Sequence, residues 1–271
     1  MEKPLISILM PVYNAANYIE KSIACIQKQT FNNFELIIVN DGSTDDTVEL
    51  IEKVNDNRIH LINNPHNFIN SLNTGIKEAK GKYIARMDVD DYMLPPRLQK
   101  QFEFMESNPD VDICGSWVQL FGSKSGLLQT SAFHNNIISY LIFHNTLVHP
   151  SIIMKTSLFK KEEEMIREYN HDYPCAEDYH LWTRLALDGY KFANITEPLI
   201  CYRSSPGQVT STRFEEMMNS SYKIQKEYIE AIWKNNEELR TRFSEFYESI
   251  EDIMDSKEKK DTFHQIYHSL L

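Results

Sequence analysis

Residues 86–91 read Arg86-Met87-Asp88-Val89-Asp90-Asp91, directly after the apolar run Lys82-Tyr83-Ile84-Ala85. Three carboxylates in four residues repel one another, and each raises its neighbour's pKa. A divalent cation relieves that cost. Oxygen-only ligands suit a hard ion, Mg²⁺ or Mn²⁺, and such ions complete their shell with substrate phosphates. The first expectation is therefore a metal–diphosphate site. A solvated turn or a helix N-cap is the plain alternative for so short a cluster. An EF-hand does not fit: counted from Asp88, the sixth position is Met93 and the twelfth Gln99, where that loop needs Gly and Glu.

A second acidic pair, Glu177-Asp178, opens the helical stretch through Leu187. Acidic residues at a helix start stabilise its dipole.

These residues need elements to hold them. Leu5–Met10 and Phe34–Val39 are continuous apolar runs, as in buried parallel strands. Arg58–Ile62 and Tyr83–Met87 read as two more strands. Helical spacing runs over Tyr18–Lys28 and Leu72–Lys80, and Ser43 with Asp46 suggests a capping box opening a helix through Val54. The alternation implies a doubly wound, mostly parallel α/β sheet with right-handed crossovers. In such sheets ligands bind beyond the carboxyl ends of the strands. Pro11-Val12-Tyr13-Asn14, Asn40-Asp41-Gly42 and Asp88–Asp91 all fall there, so one crevice is expected to gather them.

Beyond Pro95 the reading is a helix through Met105, a strand over Val111–Phe121, a looser stretch over residues 122–136 and a short strand over Ser151–Met154. Lys160–Tyr173 is charged and loop-like, a candidate lid. Asp178–Leu187 reads as helix and Ile195–Tyr202 as extended. From Arg213 onward Gly and Pro vanish, and apolar residues recur at helical steps from Met217 and Met218 through Met254. That amphipathic tail packs on the body or on a second copy, making a homodimer through these helices one expectation.

The chain has 271 residues and a net charge of −11. That balance disfavours general nucleic-acid binding, which needs a basic face. Cys25, Cys114, Cys175 and Cys201 are scattered without a C-x-x-C, so a zinc knuckle and a thioredoxin motif are both excluded and a reducing cytoplasm is the default. No apolar run reaches spanning length, leaving at most peripheral attachment to a membrane. There is no G-x-G and no G-x-x-x-x-G-K-[ST], which disfavours Rossmann dinucleotide binding and P-loop phosphate binding.

The motifs, in this order, resemble a known family. Ser7-Ile8-Leu9-Met10-Pro11-Val12-Tyr13-Asn14, Asn40-Asp41-Gly42-Ser43-Thr44-Asp45, Leu72-Asn73-Thr74-Gly75 with Tyr83–Asp91 and Pro96-Arg97-Leu98, and Ala176-Glu177-Asp178-Tyr179-His180-Leu181-Trp182 are similar to the successive motifs of family 2 glycosyltransferases of GT-A fold. The likeness spans about Leu5 to Thr210. It implies a nucleotide-binding half over residues 1–106, an acceptor-side half over 107–212 and a helical extension over 213–271. It further implies inverting, metal-assisted transfer of a hexosyl-type sugar from a nucleoside-diphosphate donor, a UDP-sugar by family habit, to a hydroxyl of a saccharide or lipid-linked saccharide in surface polysaccharide assembly.

The resemblance also implies roles. Asp178 is the base, with Glu177 orienting or capping. Tyr13 and Asp41 match positions that hold the base and ribose, and Pro11, Asn14 and Asp88 are taken with them as donor-binding residues. Arg86 balances the acidic cluster or touches the diphosphate, and Arg203 lies where a late basic loop contacts it. Asp90 and Asp91 are the metal ligands taken forward, although the division of roles among Asp88, Asp90 and Asp91 stays open. His149-Pro150 resembles a family feature. Ser205 departs from the histidine common two residues after the late arginine, which puts a ligand from that loop in doubt. The competing readings are a non-catalytic sugar-nucleotide-binding subunit and, more weakly, a sugar-1-phosphate nucleotidylyltransferase, whose glycine-rich basic loop is missing.

Overall fold

The computed structural model describes residues 3–162, 164–208 and 212–235. β1 (Ile6–Val12), β2 (Phe34–Asn40), β3 (Ile59–Asn63) and β4 (Tyr83–Arg86) form a parallel group in the order β3-β2-β1-β4. β5 (Tyr92–Met93), β6 (Ile113–Gly122), β7 (Gly126–Leu128), β8 (Ile153–Lys155) and the long β11 (Phe192–Ser204) extend it. Beyond β4 the order is β8-β6-β11-β5, with β7 paired to β6. β8 is antiparallel to both β4 and β6, and β11 runs parallel to β6. The result is one mixed, mostly parallel sheet.

β1 and β2 are buried along their whole length, as their mostly apolar runs lead one to expect, and the polar Ser7 and Glu35 within them pair through a hydrogen bond from Ser7 Oγ to Glu35 Oε1. Alternate residues face opposite layers. Leu9 packs with α3 (Phe68–Glu78) through Leu72 and Ile76, and on the same side with Trp182 and Leu185 of α6 (Glu177–Leu187) and Ile224 and Tyr228 of α7 (Phe214–Asn235). Ile8 and Met10 share the other layer with Ile19, Ile23 and Ile26 of α1 (Ile19–Gln27) and Leu98 and Met105 of α4 (Arg97–Ser107). Each such side chain contributes about 1.5–3 kcal/mol on full burial. Gly75 permits the close approach of α3 to β1: a Cβ there would meet Leu9 Cδ1 at 2.0 Å.

Several local expectations are corrected. Ser43 and Asp46 form no capping box at α2 (Thr47–Glu52); Asp45 instead accepts from Thr47 N and Oγ1, and Ser43 Oγ accepts from Asn14 N. α3 starts at Phe68, ahead of the expected Leu72, because Asn67 Oδ1 caps it by accepting from Asn70 N. Residues 122–136 include β7 and lead into α5 (His134–Tyr140). The proposed lid is anchored. It carries the two-residue strands β9 (Lys160–Lys161) and β10 (Glu164–Met165), and Tyr169 is buried, exchanging two hydrogen bonds with the Asn73 side chain. α7 realises the start of the amphipathic tail; its continuation over 236–271 lies outside the described residues. No helix among the described residues is long and apolar enough to cross a membrane.

Candidate active site

The carboxyl ends of β1, β2 and β4 carry the three polar loops to one rim. At the end of β2, Asp41 is buried and its Oδ1 accepts from Asn67 N at 2.7 Å and Ser71 Oγ at 2.8 Å. Gly42 follows at φ +78, a left-handed turn that suits glycine. His66 Nδ1 stands 3.0 Å from Asp41 Oδ2, and the His66 ring stacks on exposed Tyr13 with centroids 4.1 Å apart. Asn14, at φ 47, ties the first loop to the second by accepting from Thr44 N at 2.8 Å. Pro11 is buried within β1 opposite Val39. Tyr13 and His66 thus form an aromatic platform beside an anchored carboxylate, while Asn14 and Pro11 shape the loops.

The acidic turn leaves β4 with its three carboxylates in different settings. Asp88 is half-buried and paired with Arg86, which is itself buried. Asp90 is half-buried, and burial followed by the Asp88 charge raises its pKa. Asp91 is only 1% exposed. Its Oδ1 accepts from Arg203 N at 2.7 Å, and burial, then Asp88, push it up to about 9. Arg203 Nε donates to Asp90 O at 2.9 Å, and its guanidinium lies over Phe121 at 4.6 Å and Tyr18 at 4.9 Å. Beneath the turn, buried Arg97 donates to Arg86 O and Ile152 O, and Gln101 joins it to Ser151 O. This scaffold fixes the strand end from below.

Facing the turn, the first residues of α6 present Glu177 and Asp178. Glu177 is buried and pushed up to about 8, chiefly by burial and next by Asp178. Asp178 is raised by burial, opposed by the Tyr179 N–H and by Asn145, whose Nδ2 donates to Asp178 Oδ2 at 2.7 Å. Arg86 favours the ionised forms of Asp90, Asp91, Glu177 and Asp178 alike, so the acidic turn and the start of α6 converge on one buried guanidinium. His149 is buried and bonded through Nε2 to Tyr169 Oη at 2.8 Å, with an edge contact to Trp182. It belongs to the structural wall of the site. Ser205 N donates to Gln208 Oε1, and Gln208 returns a bond to Arg203 O.

The arrangement has the parts of a group-transfer site: an aromatic platform, half-buried and buried carboxylates, and a base candidate opposite them. A family profile described as glycosyl transferase family 2 matches residues 7–166. The chain is a family 2 glycosyltransferase. It is 36% identical over 241 residues to an uncharacterized glycosyltransferase of Haemophilus influenzae, covering 83% of this chain and 73% of that one. It is 30% identical over 223 residues to the Escherichia coli UDP-Glc:alpha-D-GlcNAc-diphosphoundecaprenol beta-1,3-glucosyltransferase WfaP, covering 80% and 84%. Among solved structures, Staphylococcus aureus TarS 1–349 in complex with UDP-GlcNAc aligns with a TM-score of 0.64 at 20% identity, over 88% of this chain and 74% of that one. The Pyrobaculum calidifontis mannosyltransferase PcManGT, in complex with GDP-Man and Mn²⁺, aligns with a TM-score of 0.59 at 19% identity, over 85% and 65%. These last two likenesses show the GT-A fold for the transferase.

The geometry adds residues that the motifs did not single out. His66 and Asn145 lie in loops without periodicity, and only their partners, Asp41 and Asp178, carried a recognisable pattern. A groove of about 640 Å³ lies between Asp172–Pro174 and the first turns of α7, with Arg213, Phe214 and Lys223 on its walls. None of the motif-derived site residues lines it.

Proposed function

We propose that the transferase moves a sugar from a UDP-sugar to a hydroxyl of a lipid-linked saccharide, with Asp178 as the base and Asp90 at the donor diphosphate. The observation that carries this is the ion pair of buried Arg86 with Asp88 at the end of β4, with the Glu177–Asp178 helix start close enough to feel the same guanidinium. UDP-sugar use and a diphosphoundecaprenol-linked acceptor are the properties named for WfaP, and TarS is named with UDP-GlcNAc.

The residues suit a hard divalent ion. Among the described residues no three His, Cys, Asp or Glu side chains form a complete metal cage. Mg²⁺ and Mn²⁺ sites built on substrate phosphates need only one or two carboxylates. Asp90 carries the like-charge cost that such an ion relieves. Asp91, expected beside it as a ligand, is turned inward to Arg203 N, so we assign the metal to Asp90 with Asp88 adjacent and give Asp91 a positioning role. PcManGT is the relative named with Mn²⁺. When bound, the ion supplies Lewis-acid stabilisation of the departing diphosphate.

The chain's own part follows. Tyr13 and His66 stack the base, and Asp41, fixed by Asn67 and Ser71, orients them. Arg203 holds the backbone of Asp90 in place. Asp178 takes the proton from the acceptor hydroxyl as its oxygen attacks the anomeric carbon from the face opposite the diphosphate, which inverts that carbon. The reading is tested by calorimetric titration of UDP with and without Mn²⁺, beside UDP release from UDP-glucose and UDP-GlcNAc. Asp90→Ala is expected to lose Mn²⁺-dependent UDP binding. Asp178→Asn is expected to keep binding and lose turnover. Metal-independent UDP binding, or full turnover in Asp178→Asn, overturns it.

A further inference from the structure

We propose that Asn145 is a positioning residue for the base: its side-chain amide fixes the Asp178 carboxylate and holds it ready to accept a proton. The inference rests on the reading of Asp178 as the base.

Asn145 Nδ2 donates to Asp178 Oδ2 at 2.7 Å, while Asn145 Oδ1 accepts from Leu147 N at 3.2 Å. The second bond decides the amide orientation, because only the oxygen can accept from a backbone N–H. The nitrogen therefore faces Asp178. The other carboxylate oxygen, Asp178 Oδ1, accepts from Tyr179 N at 2.7 Å. Each oxygen thus has one protein donor and keeps a lone pair for an incoming hydroxyl.

The segment carrying Asn145 is itself pinned. Tyr179 Oη donates to Leu141 O at 2.5 Å, Gln225 Nε2 donates to Phe143 O at 2.6 Å, and Thr146 and Leu147 are buried. Asn145 is therefore presented by α6 and α7 together. A carboxylate with two free torsions would sample many directions; two fixed donors select one.

The charged and titratable groups facing Asp178 come from four segments. Glu177 stands beside it on α6, Arg86 reaches in from the end of β4, Tyr169 comes from the anchored lid segment, and Asp88 acts on the neighbouring Glu177. Burial opposes ionisation of Asp178 and Arg86 favours it; Asp178 and Asp88 in turn oppose ionisation of Glu177. Tyr169 stays neutral, since burial drives its phenol up. Asn145 adds a directed donor to the charged form, which favours the carboxylate.

The test uses the full chain. In Asn145→Ala, UDP release from UDP-glucose and UDP-GlcNAc with Mn²⁺ is expected to fall at pH 7. The acidic limb of its pH profile moves to higher pH by roughly one unit or more, while KM for the donor is unchanged. Asn145→Asp keeps the acceptor for Leu147 N but replaces the donor by a like charge, so its limb moves further in the same direction. Carboxyl-detected NMR, with Asp178 assigned by its loss in Asp178→Asn, reads the same shift without turnover. A limb and a resonance titrating where the wild type does, in either variant, overturn the proposal. If Asp178→Asn keeps full turnover, the base reading fails and this proposal falls with it. If Asp178→Asn is inactive while Asn145→Asp is unshifted, only the role of Asn145 fails.

Discussion

The backbone N–H of Arg203 donates to Asp91 Oδ1 at 2.7 Å across 112 residues of sequence. This bond joins the end of β11 to the acidic turn after β4. Its side chain reinforces the join by donating to Asp90 O and lying between aromatic rings. The arginine expected to touch the donor diphosphate is therefore bonded to the acidic turn itself.

That relationship separates Asp90 from Asp91 experimentally. Asp91→Asn keeps an oxygen for Arg203 N and loses no charge of consequence at neutral pH, since Asp91 is pushed up to about 9. It is expected to retain Mn²⁺-dependent UDP binding. Asp90→Asn is expected to lose it. Arg203→Ala removes a support of the turn proposed to hold the metal and is expected to weaken that binding about 10–100-fold. Titration calorimetry on the three variants decides; loss of binding in Asp91→Asn alone would return the metal to Asp91.

Tyr13 and His66 make a prediction about the nucleotide. Their stacked rings, 4.1 Å apart, offer a face to a base, and Asp41 fixes His66. Base stacking on an aromatic side chain is worth about 1–3 kcal/mol. Tyr13→Ala is expected to weaken UDP binding by roughly tenfold, and Tyr13→Phe to leave it near wild type. Equal affinity in Tyr13→Ala would place the base elsewhere.

Much of this was legible in the sequence for a physical reason. Strands buried on both faces need largely apolar runs, and β1 and β2 show them, with the buried polar pair Ser7 and Glu35 bonded to each other. Asp90 stands out because three carboxylates in four residues repel one another, whereas Asp41 and Asp178 are picked out by the resemblance of their motifs to the family. The start of α3 was hidden because its cap, Asn67, sits among other asparagines of equal capping capacity. Asn145 and His66 were hidden because their placement is decided by tertiary contacts of loops. Arg86 and Arg203 were found by position, but which groups they pair with follows from burial, which no local pattern encodes.

His180 sets a pH-dependent share of stability. Its ring stacks on Tyr173 at 3.8 Å, and burial, then Arg184 and Lys223, lower its pKa to about 4. In the unfolded chain it titrates near 6.5. Below pH 6.5 the unfolded state binds a proton that the native state refuses, so this contribution falls between about pH 6.5 and 4 and is full above 6.5. Glu177 and Asp91, with raised values, act in the opposite sense. The readout is therefore the difference in urea midpoint between wild type and His180→Gln. That difference is expected to shrink in favour of the variant from pH 7 to pH 5. A difference independent of pH would show that His180 protonates equally in both states.

α7 makes the last prediction, because the helix that carries Asp178 packs against it. Ile224 is 1% exposed and lies in the same apolar cluster as Trp182 and Leu185 of α6. Polar contacts run beside it: Tyr173 Oη donates to Glu227 Oε2 at 2.6 Å and Ser220 Oγ to Pro174 O at 2.9 Å, just before the Glu177–Asp178 pair. Truncating a buried isoleucine to alanine costs about 2–5 kcal/mol. Ile224→Ala is expected to lower the melting temperature by several degrees. Mn²⁺-dependent UDP affinity should stay intact in the folded protein, since Tyr13, Asp41 and Asp90 lie on other elements. A melting temperature equal to wild type would mean that Ile224 contributes nothing to the packing of α7 on the body, and that α6 is held by the rest of its apolar layer, Leu9, Leu72 and Ile76 among it.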